Sequence, residues 1–95
     1  MGNFLKSKRS GMVGFYVPDR LSADKLVEFF SEKGTNLAWI DENPVYVKNK
    51  VEVLVPENEL ERLALRATDV SIEFRNLGHD VSWPSIYGNP HFTYL

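Results

Sequence analysis

The two histidines, His79 and His91, are the side chains best suited to acid–base or metal chemistry near neutral pH. Neither belongs to a His-x-x-x-His or His-x-Glu spacing, so the sequence predicts two surface histidines and no metal site. Asp41-Glu42 and His79-Asp80 are adjacent pairs, and neighbouring residues of a strand point to opposite faces. We therefore do not expect either pair to converge on one substrate.

Other catalytic signals are absent from the sequence. The chain has no cysteine, which excludes thiolate nucleophiles, disulfides and Cys-based zinc sites. Its six glycines are isolated from one another, so there is no phosphate-binding loop, and no Gly-x-Ser-x-Gly motif occurs. The sequence predicts no enzyme, no cofactor and no catalytic residue.

Composition indicates one small folded domain. The 95 residues are 43% apolar and carry a net charge of −2 with both signs interspersed. No basic field covers the whole chain, no apolar run approaches the roughly 20 residues of a membrane helix, and no leader is recognisable. We expect a cytoplasmic protein without a membrane partner.

Residues 1–11 are basic and contain no acidic side chain. Lys6, Lys8 and Arg9 lie here, ahead of a single α+β domain predicted for residues 12–95. A solvated, flexible arm is the simpler interpretation. The sharper one is a contact with phosphate, nucleic acid or an acidic partner.

The first half of the domain alternates strands and a helix. Residues 12–17 form a predicted central strand, and Ser22 is the predicted N-cap of a helix that ends at Gly34. A second strand is expected over residues 36–41. Valine-rich residues 45–55 follow, either as a hairpin turning at residues 48–50 or as one long strand that Pro56 ends.

The longest periodic segment is residues 56–78. Its apolar side chains recur at spacings of three and four, which predicts one amphipathic helix with Asn58 as N-cap and Gly78 as C-terminal stop. The alternative is a short helix to about Arg66 followed by a strand over residues 69–74. Leu65 and Ile72 lie off the apolar stripe. They mark either a second buried face or the failure of the long helix.

A further strand is predicted at residues 81–83, and the tail alternates like a strand again after Pro90. The order strand, helix, strand, strand, helix, strand predicts a ferredoxin-like βαββαβ sandwich, an antiparallel sheet with two helices on one face, plus a C-terminal strand-like extension.

The best functional signal is an aromatic tail with few charges, a composition typical of interface cores. Its candidate interaction residues are Trp83, Tyr87, Phe92 and Tyr94, and we add Leu65 and Ile72. The tail either packs on its own sheet or pairs with another subunit.

The sequence thus predicts a non-catalytic protein–protein interaction domain, a homodimer or an accessory or inhibitory subunit. Two alternatives remain. One is a small-molecule-binding regulatory domain that uses the loop at residues 18–21. The other is a nucleic-acid-binding module that uses the basic arm, with Phe15, Tyr16 and Tyr46 as the only stacking aromatics on predicted strands.

Overall fold

The computed structural model describes residues 9–88, and these residues form a small α+β structure. Four strands and three helices lie in this range. In chain order they are β1 (Met12–Val17), α1 (Arg20–Lys33), β2 (Trp39–Asp41), β3 (Val51–Pro56), α2 (Glu57–Arg62), α3 (Ala67–Asn76) and β4 (Ser85–Ile86). The predicted α+β class is confirmed.

The strands form one antiparallel sheet in the order β2-β3-β1-β4. β1 is central, as predicted, and all six of its residues are buried. In the register, Phe15 lies opposite Val53, and Val13 lies opposite Ile86. Because side chains alternate along a strand, each row of partners belongs to one face of the sheet.

The hydrophobic core lies on the face that carries the odd-numbered residues of β1 and β3. All three helices contribute to it, through Leu26, Phe29 and Phe30 of α1, Leu60 of α2, and Val70 and Phe74 of α3. Phe30 packs on Phe15 and on Phe29, each with ring centroids 5.8 Å apart, and Phe29 packs edge-on against Phe74 at 6.0 Å. These aromatic pairs join α1 to the sheet and to α3.

Helix α1 begins one turn earlier than predicted. Asp19, and not Ser22, is the N-cap: its carboxylate accepts a hydrogen bond from the Ser22 N–H at 2.8 Å. A carboxylate three residues ahead reaches this N–H and also favours the positive end of the helix dipole. The C-terminal stop at Gly34 is confirmed, with a left-handed φ of 118°.

The predicted long helix over residues 56–78 is wrong, because the chain breaks between α2 and α3. Ala64 takes a left-handed φ of 55°, and the Leu65 N–H returns to the Leu60 carbonyl at 2.8 Å. In a continuous helix Leu65 would point away from the core; the break turns it in, where it packs half-buried. The alternative strand over residues 69–74 is also wrong, since these residues lie within α3.

The start of α2 differs from the prediction, whereas the glycine stop after α3 agrees with it. Pro56 precedes the first residue of α2 as its N-cap and makes no side-chain capping bond, so Asn58 has no capping role. Leu77 is the C-cap of α3, and Gly78 follows it with a left-handed φ of 95°, so the predicted glycine stop at Gly78 is confirmed.

Three predicted strands are shorter than expected or displaced. Of residues 36–41 only Trp39–Asp41 is a strand, and residues 45–47 are irregular, so neither the hairpin nor the long strand forms. The turn does occur at Asn49, with φ 62°. Residues 81–83 are not a strand, because the Ser82 hydroxyl takes the Tyr16 N–H at 2.9 Å in place of a backbone carbonyl. Pairing with β1 continues at β4.

Candidate functional site

A row of polar side chains crosses the face of the sheet opposite the helices. Asp41 of β2 lies opposite Glu52 of β3, and Glu52 lies opposite Tyr16 of β1. Glu52 is 0% exposed. A fully buried carboxylate requires partners, because an isolated buried charge is strongly unfavourable.

Those partners come from the two ends of the described chain. Arg9, 5% exposed, donates from Nε and Nη2 to Glu52 Oε1 at 3.2 and 2.8 Å. Its Nη2 also reaches Asp41 Oδ2 at 2.6 Å. The hydroxyl of Tyr87 donates to Glu52 Oε2 in a short hydrogen bond. We call Arg9, Tyr16, Asp41, Glu52 and Tyr87 the Glu52 cluster.

The single hydroxyl proton of Tyr87 sets the direction of its hydrogen bonds to Glu52 and to Tyr16. Tyr87 gives its only hydroxyl proton to Glu52, so Tyr16 is the donor in the 3.1 Å bond between the two phenols. Burial raises the pKa of both phenols, and the bond to Glu52 further raises the pKa of Tyr87. Both tyrosines therefore stay protonated at neutral pH and act as donors, not as bases.

Arg9 likewise stays positively charged at neutral pH. Burial alone would lower the pKa of its guanidinium, but the hydrogen bonds to Glu52 and Asp41 outweigh that effect and raise it. Two tyrosine rings lie near the cation, since its Cζ is 5.8 Å from the ring centroids of both Tyr46 and Tyr87. Tyr46 and Tyr87 stack on each other with centroids 6.1 Å apart.

Gly14 makes room for this arrangement. A Cβ built at Gly14 would overlap the Glu52 carboxylate and lie 2.9 Å from Cε2 of Tyr87. The side-chain hydrogen-bonding needs of the described residues are met, because no buried side-chain nitrogen or oxygen among them lacks a partner. The cluster is a closed ionic network that joins three strands to both flanking segments.

Beside this network lies an apolar surface at the β4 edge of the sheet. Ile86 of β4 is 55% exposed and lies opposite Val13, which places its side chain on the helix-bearing face. Trp83, 53% exposed, holds its ring 4.4 Å from the Arg75 guanidinium of α3. Exposed Ile72 lies one turn before Arg75, so their side chains are neighbours on the helix. We call Ile72, Trp83 and Ile86 the edge surface.

The backbone beneath the edge surface is anchored to α3. Arg75 donates from Nε and Nη2 to the Val81 carbonyl at 2.9 and 2.7 Å, and the hydroxyl of Ser71 donates to the Ser82 carbonyl at 2.8 Å. These bonds fix residues 81–83 against the helix, so Trp83 is held in place while half of it remains exposed.

The residues predicted to act in interaction separate into different places. Trp83 and Ile72 lie at the edge surface, whereas Tyr87 turns into the Glu52 cluster and Leu65 packs on the chain's own core. Arg9, predicted to lie on a solvated arm or to contact an anion, is 5% exposed and pairs with the Glu52 carboxylate of its own chain. Lys6, Lys8, Phe92, Tyr94 and His91 lie outside the described residues.

Asp41 and Glu42 behave as expected, whereas His79 does not lie on open surface as predicted. Asp41 and Glu42 do not converge: the Asp41 carboxylate pairs with Arg9, and that of Glu42 pairs with the Arg20 guanidinium at 2.6 Å. His79 is half-buried and stacks on Phe74 with centroids 4.5 Å apart, so it belongs to the packing around α3 rather than to open surface.

Pattern reasoning misses Glu52 and Tyr16 as site residues. The only signal for Glu52 is a carboxylate between two valines in an apolar strand, where burial demands a partner distant in sequence. Arg9 is 43 residues away and Tyr87 is 35 residues away. No local spacing connects them.

Within residues 9–88, no group of three His, Asp or Glu side chains is placed to hold a metal ion. None of the described helices has the length and apolarity needed to cross a membrane. No protein-family model, curated protein or solved structure matches this chain.

Proposed function

We propose that this chain is a small non-catalytic protein–protein interaction domain that forms a homodimer through the edge surface. The observation that carries the proposal is an exposed tryptophan and an exposed isoleucine, three residues apart, at and beside a two-residue edge strand. Aromatic and aliphatic side chains held on a rigid scaffold are typical anchors of interfaces. An edge strand also offers unpaired backbone groups to a second copy.

The chemistry of the Glu52 cluster supports a non-catalytic assignment. Its carboxylate is fully buried and paired, and its phenols act as hydrogen-bond donors. A general base needs an acceptor within reach of a substrate, and this carboxylate is 0% exposed. A cytoplasmic location belongs to the same proposal, and the absence of cysteine is compatible with it.

The ferredoxin-like arrangement is also part of the proposal. The order of the elements and the sheet order β2-β3-β1-β4 support it, as does the common core of the helices on one face. The pair α2 and α3 would then occupy the place of a single second helix. Such sandwiches expose one edge strand on each side of the sheet, which is where a second copy can add.

Light scattering coupled to size-exclusion chromatography, at several protein concentrations, tests the dimer. Ile86→Lys places a charge on the edge surface and should weaken the dimer at least about tenfold. Leu37→Lys is the matched control, because Leu37 is 57% exposed but lies beside β2, at the other edge of the sheet. It should leave association unchanged.

Two results would contradict the proposed interface. One is a chain that stays monomeric at every concentration. The other is loss of association in Leu37→Lys with none in Ile86→Lys, which would move the contact to the β2 edge. An accessory role with a different partner would show as a heterologous complex that Ile86→Lys also weakens.

A groove favours the second candidate function, a ligand-binding regulatory domain. It has a volume of ≈ 510 Å³ and lies between Pro18 and the loop from Glu42 to Val51, with Lys48 and Lys50 in its lining. The predicted ligand loop at residues 18–21 borders it only at Pro18. Thermal-shift screening against anionic metabolites tests this candidate, since a ligand that binds the folded state raises Tm.

The nucleic-acid alternative finds less support in the described residues. Arg9 donates hydrogen bonds to Glu52 and Asp41, and Phe15 is fully buried in the core. Tyr16 is buried as well, which leaves Tyr46 as the exposed member of the three aromatics. A stacking platform for bases needs exposed rings on neighbouring strands.

A further inference from the structure

We propose that Arg9 positions the β4 edge: through Glu52 it couples the segment before β1 to Tyr87, and breaking the contact releases β4. The two oxygens of the buried Glu52 carboxylate accept hydrogen bonds from different segments of the chain. Oε1 accepts from Arg9, which lies three residues before β1, and Oε2 accepts from Tyr87, the residue after β4. Each segment thus supplies part of the compensation for the same buried charge.

The coupling follows from the free energy of burying Glu52. Removal of one partner leaves the carboxylate buried with incomplete compensation, which is strongly unfavourable. This cost falls if water reaches the Glu52 carboxylate. Water can reach it only if the segment that carries the remaining partner moves away. Because the two contacts share one charge, loss of either weakens the other by the same factor.

Within residues 9–88, few contacts hold β4 apart from this one. The strand contains two residues, paired to Val13 and Gly14, and its Ile86 is half exposed. The Tyr87 N–H donates to the Met12 carbonyl at 3.0 Å, next to the phenol that bonds Glu52. The Gly11 N–H donates to the Gly88 carbonyl at 2.7 Å, which ties the two segments directly. A short strand with an exposed side chain opens locally more easily than the core does.

The consequence for the proposed dimer is a control on its interface. Ile86 is adjacent to Tyr87, so a shift of β4 moves Ile86 and disorganises the edge surface. This part of the inference rests on the proposed function. The coupling itself does not, because it concerns hydrogen bonds within one chain.

Hydrogen exchange of individual amides, followed by NMR on the full chain, tests the coupling. In Arg9→Gln, the Tyr87 and Gly11 amides should exchange at least about tenfold faster relative to wild type, while the Gly34 amide, bonded to the Phe30 carbonyl at 3.0 Å, changes far less. Arg20→Gln is the matched control, because it removes an arginine from an exposed ion pair and should leave all three amides unchanged.

The reverse direction is read from the arginine side chain. Tyr87→Phe removes one hydroxyl and retains the ring, so it is the milder variant and provides the test if Arg9→Gln does not fold. Exchange of the Arg9 Nε–H, which donates to Glu52 at 3.2 Å, should accelerate by about the same factor as the Tyr87 amide does in Arg9→Gln. If Tyr87 only filled space, removal of its hydroxyl would not change the exchange of the Arg9 Nε–H.

Equal acceleration of all amides would overturn the proposal, because the cluster would then contribute only to global stability. An unchanged Tyr87 amide in Arg9→Gln, or an unchanged Arg9 Nε–H in Tyr87→Phe, would overturn it too. Light scattering on the same variants separates the two proposals. Local exchange as expected in a chain that never associates would retain the coupling and reject the dimer.

Discussion

Glycine at position 14 is required by its neighbours on the sheet. Any larger residue there meets the carboxylate of Glu52 and the ring of Tyr87. In most strands a glycine weakens the structure, because it adds backbone entropy to the unfolded chain and has no side chain to pack. Here the missing side chain is the space into which a buried charge and its donor fit.

Gly14→Ala should therefore destabilise the protein, opposite to the usual effect of replacing glycine in a strand. We expect a loss of at least about 2 kcal/mol in the free energy of unfolding, from overpacking and displacement of the Tyr87 bond. Urea denaturation measures it. Gly88→Ala is the comparison, because a Cβ there meets nothing within 4 Å and only the φ of 63° opposes it. A smaller loss in Gly14→Ala than in Gly88→Ala would contradict this account.

Glu59 is one residue whose charge makes the stability of the fold depend on pH. Hydrogen bonds from Arg62 and then from the hydroxyl of Thr35 lower the pKa of Glu59 to about 2 from an ordinary 4.5. Its folded pKa lies below its unfolded value, so its contribution to stability is complete above about pH 4.5 and is lost as the pH falls towards 2.

Thr35→Val tests this assignment, since it removes the 2.7 Å hydrogen bond to Glu59 and keeps the shape of a buried side chain. NMR titration of the Glu59 carboxyl should show a higher pKa in the variant, still below 4.5 because Arg62 remains. Stability in urea should depend less on pH between 4.5 and 2. An unchanged pKa would show that Thr35 does not stabilise the charged form.

At the scale of elements, the break between α2 and α3 decides how the second half of the chain packs. Leu60 lies in the core from α2, and Val70 and Phe74 lie in it from α3. The left-handed turn at Ala64 changes the phase of the helix, so that Leu65 and Ala67 also pack on the core. Arg62 extends from the end of α2 to the Gly34 carbonyl at 2.8 Å, which ties the break to the end of α1.

Ala64→Gly distinguishes the broken helix from a continuous one by the sign of its effect. A left-handed alanine costs roughly 1–2 kcal/mol, so glycine should stabilise the fold by about 0.5–1 kcal/mol after its larger unfolded-state entropy is counted. In a continuous helix the same change would destabilise by about 1 kcal/mol. Thermal or urea unfolding measures the difference, and Ala67→Gly, within α3, is the destabilising control.

At the scale of the whole molecule, the two faces of one sheet hold different kinds of structure. The helix-bearing face is a closed apolar core, and the opposite face carries a buried ionic network centred on Glu52. Hydrophobic burial supplies most of the stability on the first face. On the second face the network fixes which segments lie beside β1, because a buried charge accepts few arrangements of partners. The edge surface lies where these two layers meet at β4.

Local patterns predicted the elements whose ends are set by residues nearby in sequence. The strand at β1 and the glycine at the end of α1 follow from β-rich composition bounded by Gly11 and Pro18 and from a single left-handed stop. Leu65, which lies off the apolar stripe, correctly indicated a problem with the long helix. The apolar spacing of three and four nevertheless continues across the one-residue left-handed turn, so the sequence pattern does not reveal the break. The limits of the short strands β2 and β4 were predicted wrongly, because they depend on pairing with the distant strands β3 and β1.

The sequence by itself determined a small α+β domain with an apolar central strand, isolated glycines, no cysteine and no motif for catalysis, because these features reside in composition and short-range spacing. Only the tertiary structure decided the fate of Glu52 and Arg9, and with it the role of Tyr87. Their contacts span 43 and 35 residues, and long-range ionic pairing leaves no periodic signal in the chain. Of the candidate interaction residues, Ile72 and Trp83 lie with Ile86 on the edge surface, and Tyr87 lies in the Glu52 cluster.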